Sequence, residues 1–195
     1  MSDPDYSWAE RDDWASAWDT AVAAIGRDFG GDTPRGAADH IERGQVRRYL
    51  EPLEFDCPLH HDADIAVAHG YPGVIAPYSG LAAWTSSGLW DPGDEPIYVT
   101  AGRDAQPRPR PNVFPYIGPA VNAGFATEVS YEFLAPFVVG ARLETRGPTL
   151  LAVTPKETKV GRGAFLTWQT RVHDQDGELL ALVTFGMFRY VAKGA

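Results

Sequence analysis

The chain has 195 residues, 44% of them apolar or aromatic, which is enough for one domain to bury a core without disulfide or metal staples. Its 26 acidic residues against 17 basic ones give a net charge of -9, which argues against a nucleic-acid backbone as partner. No apolar run approaches the roughly 18 residues of a spanning helix, so no membrane partner is expected.

Cys57 is the single cysteine, so no internal disulfide can form and a reducing compartment is expected. The opening residues, MSDPDYSWAERDDW, have neither a basic n-region nor an apolar h-region. The expected location is cytoplasmic.

From Ser7 to Ile25, Trp8, Trp14, Trp18, Val22 and Ile25 recur at spacings of three, four and six among acidic residues. This pattern predicts an amphipathic helix with Ser7 as N-cap and its tryptophan stripe docked on the body of the domain. Residues 1–30 are therefore read as a Trp-rich helical extension and 31–195 as the main domain. Ile41 to Leu53 predicts a second helix, with Val46, Tyr49, Leu50 and Leu53 inward and Arg43, Arg47 and Arg48 on its solvated face.

Residues 54–80, EFDCPLHHDADIAVAHGYPGVIAPYSG, concentrate the chemistry. Asp56, Cys57, His60, His61 and Asp62 share one short loop, and Asp62 or Asp64 is placed to cap a short helix ending near His69. Acid and imidazole groups beside a helix start can move a proton while backbone N–H groups polarise a carbonyl. A metal site is not expected, because no further histidine stands at ligand spacing from the His60–His61 pair. Nothing fixes either histidine as a base for Cys57, and His40 and His173 read as isolated surface or packing residues.

Ile75 to Leu89 contains no charged residue and predicts a buried helix. Residues 91–122, with seven prolines, read as a long loop whose Arg103, Arg108 and Arg110 are either solvated or in contact with ligand phosphates or a partner. From Thr127 the period becomes two. Val129, Tyr131 and Phe133 predict a half-buried strand, Leu143–Thr145 with Leu150–Val153 a second one interrupted at Gly147-Pro148, and Leu166 to Val172 a third. Asp176-Gly177 predicts a hairpin, and Leu179 to Val191, apolar on both faces, a strand with neighbours on either side. Helices followed by antiparallel strands give an α+β domain.

The order Pro58-Leu59-His60-x-Asp62, a short helix, then Gly70-Tyr71-x-Gly73-Val74-Ile75-Ala76-Pro77, with Tyr131 to Gly140 (YEFLAPFVVG) further on, resembles the MaoC-like acyl dehydratases, and most closely their N-terminal-domain, FAS1-like dehydratase subfamily. The resemblance implies a single hot-dog fold, an antiparallel sheet wrapped around a central helix, which pairs with a second hot-dog subunit as a hetero- or homodimer. It implies an acyl-CoA or acyl-carrier thioester as substrate, needs no cofactor, and places His60 and Asp56 in the catalytic positions. Val74, Ala76, Tyr78, Trp84, Phe114 and Phe125 would contact the acyl group.

Two departures weaken the site. Catalytic relatives carry Asp-x-Asn-Pro-x-His-x-Asp, whereas here Phe55 takes the first aspartate's place, Cys57 the asparagine's, and Asp56 is displaced by one residue, which in an extended segment reverses its side. Pro77-Tyr78 replaces the family's His-Gly at the helix start, and Pro77 has no N–H to donate. The expected role is the acyl-binding or structural partner of a catalytic hot-dog subunit in an enoyl-CoA-type hydratase or dehydratase. A self-sufficient homodimeric hydratase using Asp56 and His60, a non-enzymatic acyl-CoA or hydrophobic-ligand binding module and, less favoured, a thioesterase are the alternatives.

Overall fold

A computed structural model describes residues 4–31, 34–96 and 114–194. Its framework is a five-stranded antiparallel sheet of order β1-β5-β6-β7-β3: β1 Arg35–Gly36, β5 Glu144–Glu157, β6 Gly161–His173, β7 Leu179–Ala192 and β3 Ala123–Phe133. Two further strands, β2 Ile75–Ala76 and β4 Phe137–Val138, form a small separate ladder. Among the described residues four short helices accompany them: α1 Asp19–Ala23, α2 Arg43–Leu50, α3 Ala63–Ala68 and α4 Leu81–Trp84.

The register explains which side chains are buried. Trp168 lies opposite Phe185 and Val172 opposite Ala181, so these residues share one sheet face with Leu166 and Met187. That face carries both cores. At one end α2 and α4 lay Val46, Leu50, Leu81 and Trp84 against Phe137, Val172, Leu180 and Ala181. At the other, Trp8 and Trp18 cover Leu150, Val153, Leu166 and Trp168. A curled antiparallel sheet closed over helices in this way is the hot-dog arrangement, in the α+β class.

Four expectations change in detail. The Ser7–Ile25 segment is two 3-10 turns, Ser7–Glu10 and Trp14–Trp18, followed by α1, because a turn at residues 11–13 interrupts the stripe. Ser7 is not its cap; its own N–H donates to Asp5 Oδ1 at 2.9 Å. The tryptophans nevertheless dock as expected. The Trp8 and Trp18 rings meet edge to face at 5.9 Å, Trp8 Nε1 donates to the Ala120 carbonyl, and Val22 and Ile25 stay exposed.

Helical structure in Ile75–Leu89 is limited to the 3-10 turn Tyr78–Gly80 and α4, so the sheet wraps α2 and a short α4 instead of one long helix. Ile75 and Ala76 are committed to pairing with Val138 and Phe137, and Pro77 supplies no helical N–H. Third, β3 is exposed along nearly its whole length instead of half-buried, since it lies at an edge of the sheet. Finally, the interrupted second strand is one continuous strand, β5, whose pairing with β6 shifts at Gly147-Pro148.

The strand expectations otherwise match the ladders. β7 pairs with β6 on one side and β3 on the other, and Asp174 Oδ1 accepts the N–H groups of Asp176 and Glu178 to close the β6–β7 hairpin. Arg103, Arg108 and Arg110 lie outside the described residues. None of the described helices is long and apolar enough to cross a membrane.

Candidate functional site

Pro58 opens a 3-10 turn, Pro58–His60, that lifts His60 toward β2. His60 Nδ1 stands 2.7 Å from the Ile75 carbonyl oxygen. A carbonyl only accepts, so Nδ1 carries the proton, which leaves Nε2 as the nitrogen able to exchange one. The helix after the loop is set independently: Asp62 Oδ1 accepts from the N–H groups of Asp64 and Ile65, which makes Asp62 the cap of α3. Arg43, from the exposed face of α2, donates to the His61 carbonyl at 2.7 Å and ties loop to helix.

What surrounds His60 is aromatic. The Phe55 ring lies 5.7 Å from the imidazole, centroid to centroid. Asp56 is exposed and has no hydrogen-bond or ion-pair partner among the described residues. His61 turns away, with Nε2 3.2 Å from the Phe55 carbonyl. Among the described residues no group of His, Cys, Asp and Glu could hold a metal ion.

The helix start follows β2. The Pro77 carbonyl accepts both the Gly80 N–H, at 3.0 Å, and the Trp84 indole N–H, at 2.9 Å. A Cβ at Gly80 would overlap the Trp84 indole, so the turn and the ring fit only through a glycine. Tyr78 stacks on Phe133 at 4.3 Å and meets Phe137 edge to face, and burial of the phenol raises its pKa.

The six residues named for acyl contact fall into two groups. Val74, Ala76 and Trp84 are buried beside the His60 loop and β4, with Tyr78 at their surface. Phe114 and Phe125 instead line a cavity of about 350 Å³ at the far end of β3, together with Met187, Phe188 and Arg189. That cavity does not include His60. The orienting Ile75 carbonyl escaped the sequence reading because a backbone acceptor 15 positions away leaves no mark in residue type. Arg189, whose guanidinium stacks 4.3 Å over Tyr116 and whose pKa is lowered by burial, carried no motif either.

Residues 23–183 match the family model described as FAS1-like, dehydratase domain region. The chain is 25% identical over 176 residues to a probable enoyl-CoA hydratase alpha subunit from Thermomonospora curvata, covering 88% of this chain and 51% of the relative. It is 29% identical over 164 residues to the 3-oxo-4,17-pregnadiene-20-carboxyl-CoA hydratase alpha subunit of Mycobacterium tuberculosis, covering 80% and 47%. The chain thus spans about half the length of the curated relatives it matches. In three dimensions it resembles a chain of the ChsH1-ChsH2 complex from Mycobacterium tuberculosis, with a TM-score of 0.64 at 22% identity, over 92% of this chain and 99% of that one; this likeness speaks for the fold alone. With 161 of its positions, 23 to 183, under one family model, the chain belongs to the FAS1-like dehydratase domain family, in the MaoC-like branch of hot-dog proteins.

Proposed function

We propose that this chain is the acyl-binding or structural subunit of an acyl-thioester hydratase or dehydratase and works beside a catalytic hot-dog partner. Adding water across a 2-enoyl thioester requires a base for the water, a proton donor for the α-carbon and N–H donors for the enolate oxygen. The observation that carries the reading is the setting of His60: a phenyl ring stands beside it, and the displaced carboxylate, Asp56, is exposed without a partner among the described residues. Pro77 adds to this, since one missing oxyanion donor removes about 2.7–4 kcal/mol of transition-state stabilisation. The names of the two relatives, a probable enoyl-CoA hydratase alpha subunit and a 3-oxo-4,17-pregnadiene-20-carboxyl-CoA hydratase alpha subunit, support the coarser part of this reading, a subunit of a hydratase.

In this role the chain supplies apolar surface and not proton transfer. Phe114 and Phe125 contact the acyl group, and Val74, Ala76 and Trp84 brace the turn that presents Tyr78. A second reading, a self-sufficient homodimeric hydratase using His60 and Asp56, is favoured by one feature: the Ile75 carbonyl holds His60 with Nε2 as the nitrogen able to exchange a proton.

Co-purification from the native host followed by reconstitution separates the two. The chain alone should hydrate a crotonyl thioester no faster than buffer, and its complex with the co-purifying subunit should turn over. His60→Ala in this chain should leave the complex within about threefold of wild type. Loss of nearly all turnover in that variant complex would instead assign the chemistry to His60. A ligand-dependent rise in Tm without turnover in any combination would identify a binding module.

A further inference from the structure

The cavity of about 350 Å³ between Phe114 and the β3–β7 pair owes its space to the register. Gly124 lies opposite Arg189 and Ala126 opposite Met187, so two positions with little or no side chain face two long ones. Phe114 supplies a wall that is held in place, its ring stacked on Phe185 at 4.7 Å and tilted against Trp168 at 5.8 Å. Among the described residues Arg189 is the one polar side chain in the lining.

This guanidinium lacks the partner that its neighbours in the sheet have. On β5 and β6, Arg146 pairs with Glu144, Arg162 with Glu157 and Arg171 with Asp28. Arg189 is half-buried, yet among the described residues it has no hydrogen bond and no carboxylate, only the Tyr116 ring at 4.3 Å. Burial works against its charge, and Tyr116 offsets that only in part. A ring face attracts a cation but offers its N–H groups no oxygen. The planar fork of donors is thus left for a planar anion, and a carboxylate fits it through two parallel hydrogen bonds.

We propose that this cavity takes the far end of an acyl chain that terminates in a carboxylate, and that Arg189 grips that carboxylate. The ligand class is then the thioester of a short dicarboxylic acid. The proposal rests on the reading of the chain as the acyl-binding subunit and deepens it by naming what the acyl group carries. His60 does not border the cavity, as suits a subsite for the end remote from the thioester. A carboxylate is favoured over a phosphate, because one guanidinium balances one negative charge and the overall charge of -9 opposes a doubly charged group more strongly. A neutral chain in the same place would cover the guanidinium and leave its donors unpaired, which is how a polar subsite rejects an analogue that lacks the matching group.

The test is calorimetric titration of the full chain with heptanoate, heptan-1-ol and heptyl phosphate. Heptanoate should bind at least about tenfold more tightly than the alcohol. Arg189→Gln should remove that advantage, and Arg189→Lys should keep only part of it, since an ammonium retains the charge without the fork. Ala126→Leu, which fills the cavity and leaves the guanidinium in place, should weaken heptanoate and the alcohol alike; it keeps the test decisive if the Arg189 variants fold poorly. In the reconstituted complex, kcat/KM for the CoA thioester of hex-2-enedioic acid should exceed that for hex-2-enoic acid by about tenfold or more. Heptanoate binding no tighter than the alcohol, an advantage that survives Arg189→Gln, affinity unchanged by Ala126→Leu, tighter binding of heptyl phosphate, or a complex that prefers the neutral thioester would each overturn the proposal. Arg189-dependent binding of heptanoate by a chain whose complex hydrates neither thioester would uphold the carboxylate site and reject the hydratase reading.

Discussion

Replacing Trp18 tests whether the N-terminal segment is an appendage or part of the core. The side chain is fully buried, meets Trp8 edge to face, and lies over Gly118, where a Cβ would come within 2.7 Å of Cζ3. Burying an aromatic of this size removes about 150–250 Å² from water, worth roughly 4–6 kcal/mol at about 25 cal/mol per Å². Against this, Trp18 Nε1 is buried with no hydrogen-bond partner among the described residues, a penalty of about 1–3 kcal/mol that truncation relieves. The expected net loss for Trp18→Ala is about 3 kcal/mol, or a Tm lower by roughly 6–12 °C for a domain of this size. Trp18→Phe keeps most of the ring contact and removes the unpaired N–H, so it should lose about 1 kcal/mol or less. Urea unfolding followed by circular dichroism reads both values. A Trp18→Ala loss under about 1 kcal/mol, or equal losses for the two variants, would refute the reasoning.

Gly80→Ala should destabilise by about 1–3 kcal/mol, because its Cβ overlaps the Trp84 indole; a thermal melt within 1 °C of wild type would show that the turn has room. His173 is buried with Nδ1 unpartnered among the described residues, and its pKa is lowered first by desolvation and then by the positive charge of Arg146. A lowered imidazole pKa means that the unfolded chain takes up the proton first. The contribution to stability is thus full above the ordinary imidazole range and is lost as pH falls through the folded-state value. Wild type should lose more Tm than His173→Gln between about pH 7.5 and pH 5.5, and parallel curves would contradict this assignment.

How legible the fold was depended on what each signal encodes. Leu166, Trp168 and Val172 announced the inner face of β6, and Asp176-Gly177 its hairpin, because alternation and turn chemistry are local. The tryptophans at 8, 14 and 18 suggested one helix, since spacing cannot reveal a turn at residues 11–13. The uncharged Ile75–Leu89 run announced burial correctly at Ile75, Leu81 and Trp84 but not helix length, which the pairing of Ile75-Ala76 with β4 cut short. Alternation in β3 read as half-burial because a strand's period says nothing about its place at an edge. Within the candidate site, Phe55 near His60 and Asp56 away from it were expected from setting the loop against the motif of the family it resembles; the Ile75 carbonyl, a tertiary contact to backbone, was not.

The most direct test of the proposed division of labour is hydration of a crotonyl thioester by the purified chain alone, with His60→Ala and Asp56→Ala measured beside it. Three rates indistinguishable from buffer are expected. A wild-type rate well above buffer that both substitutions abolish would contradict the partner role and make this chain the catalyst.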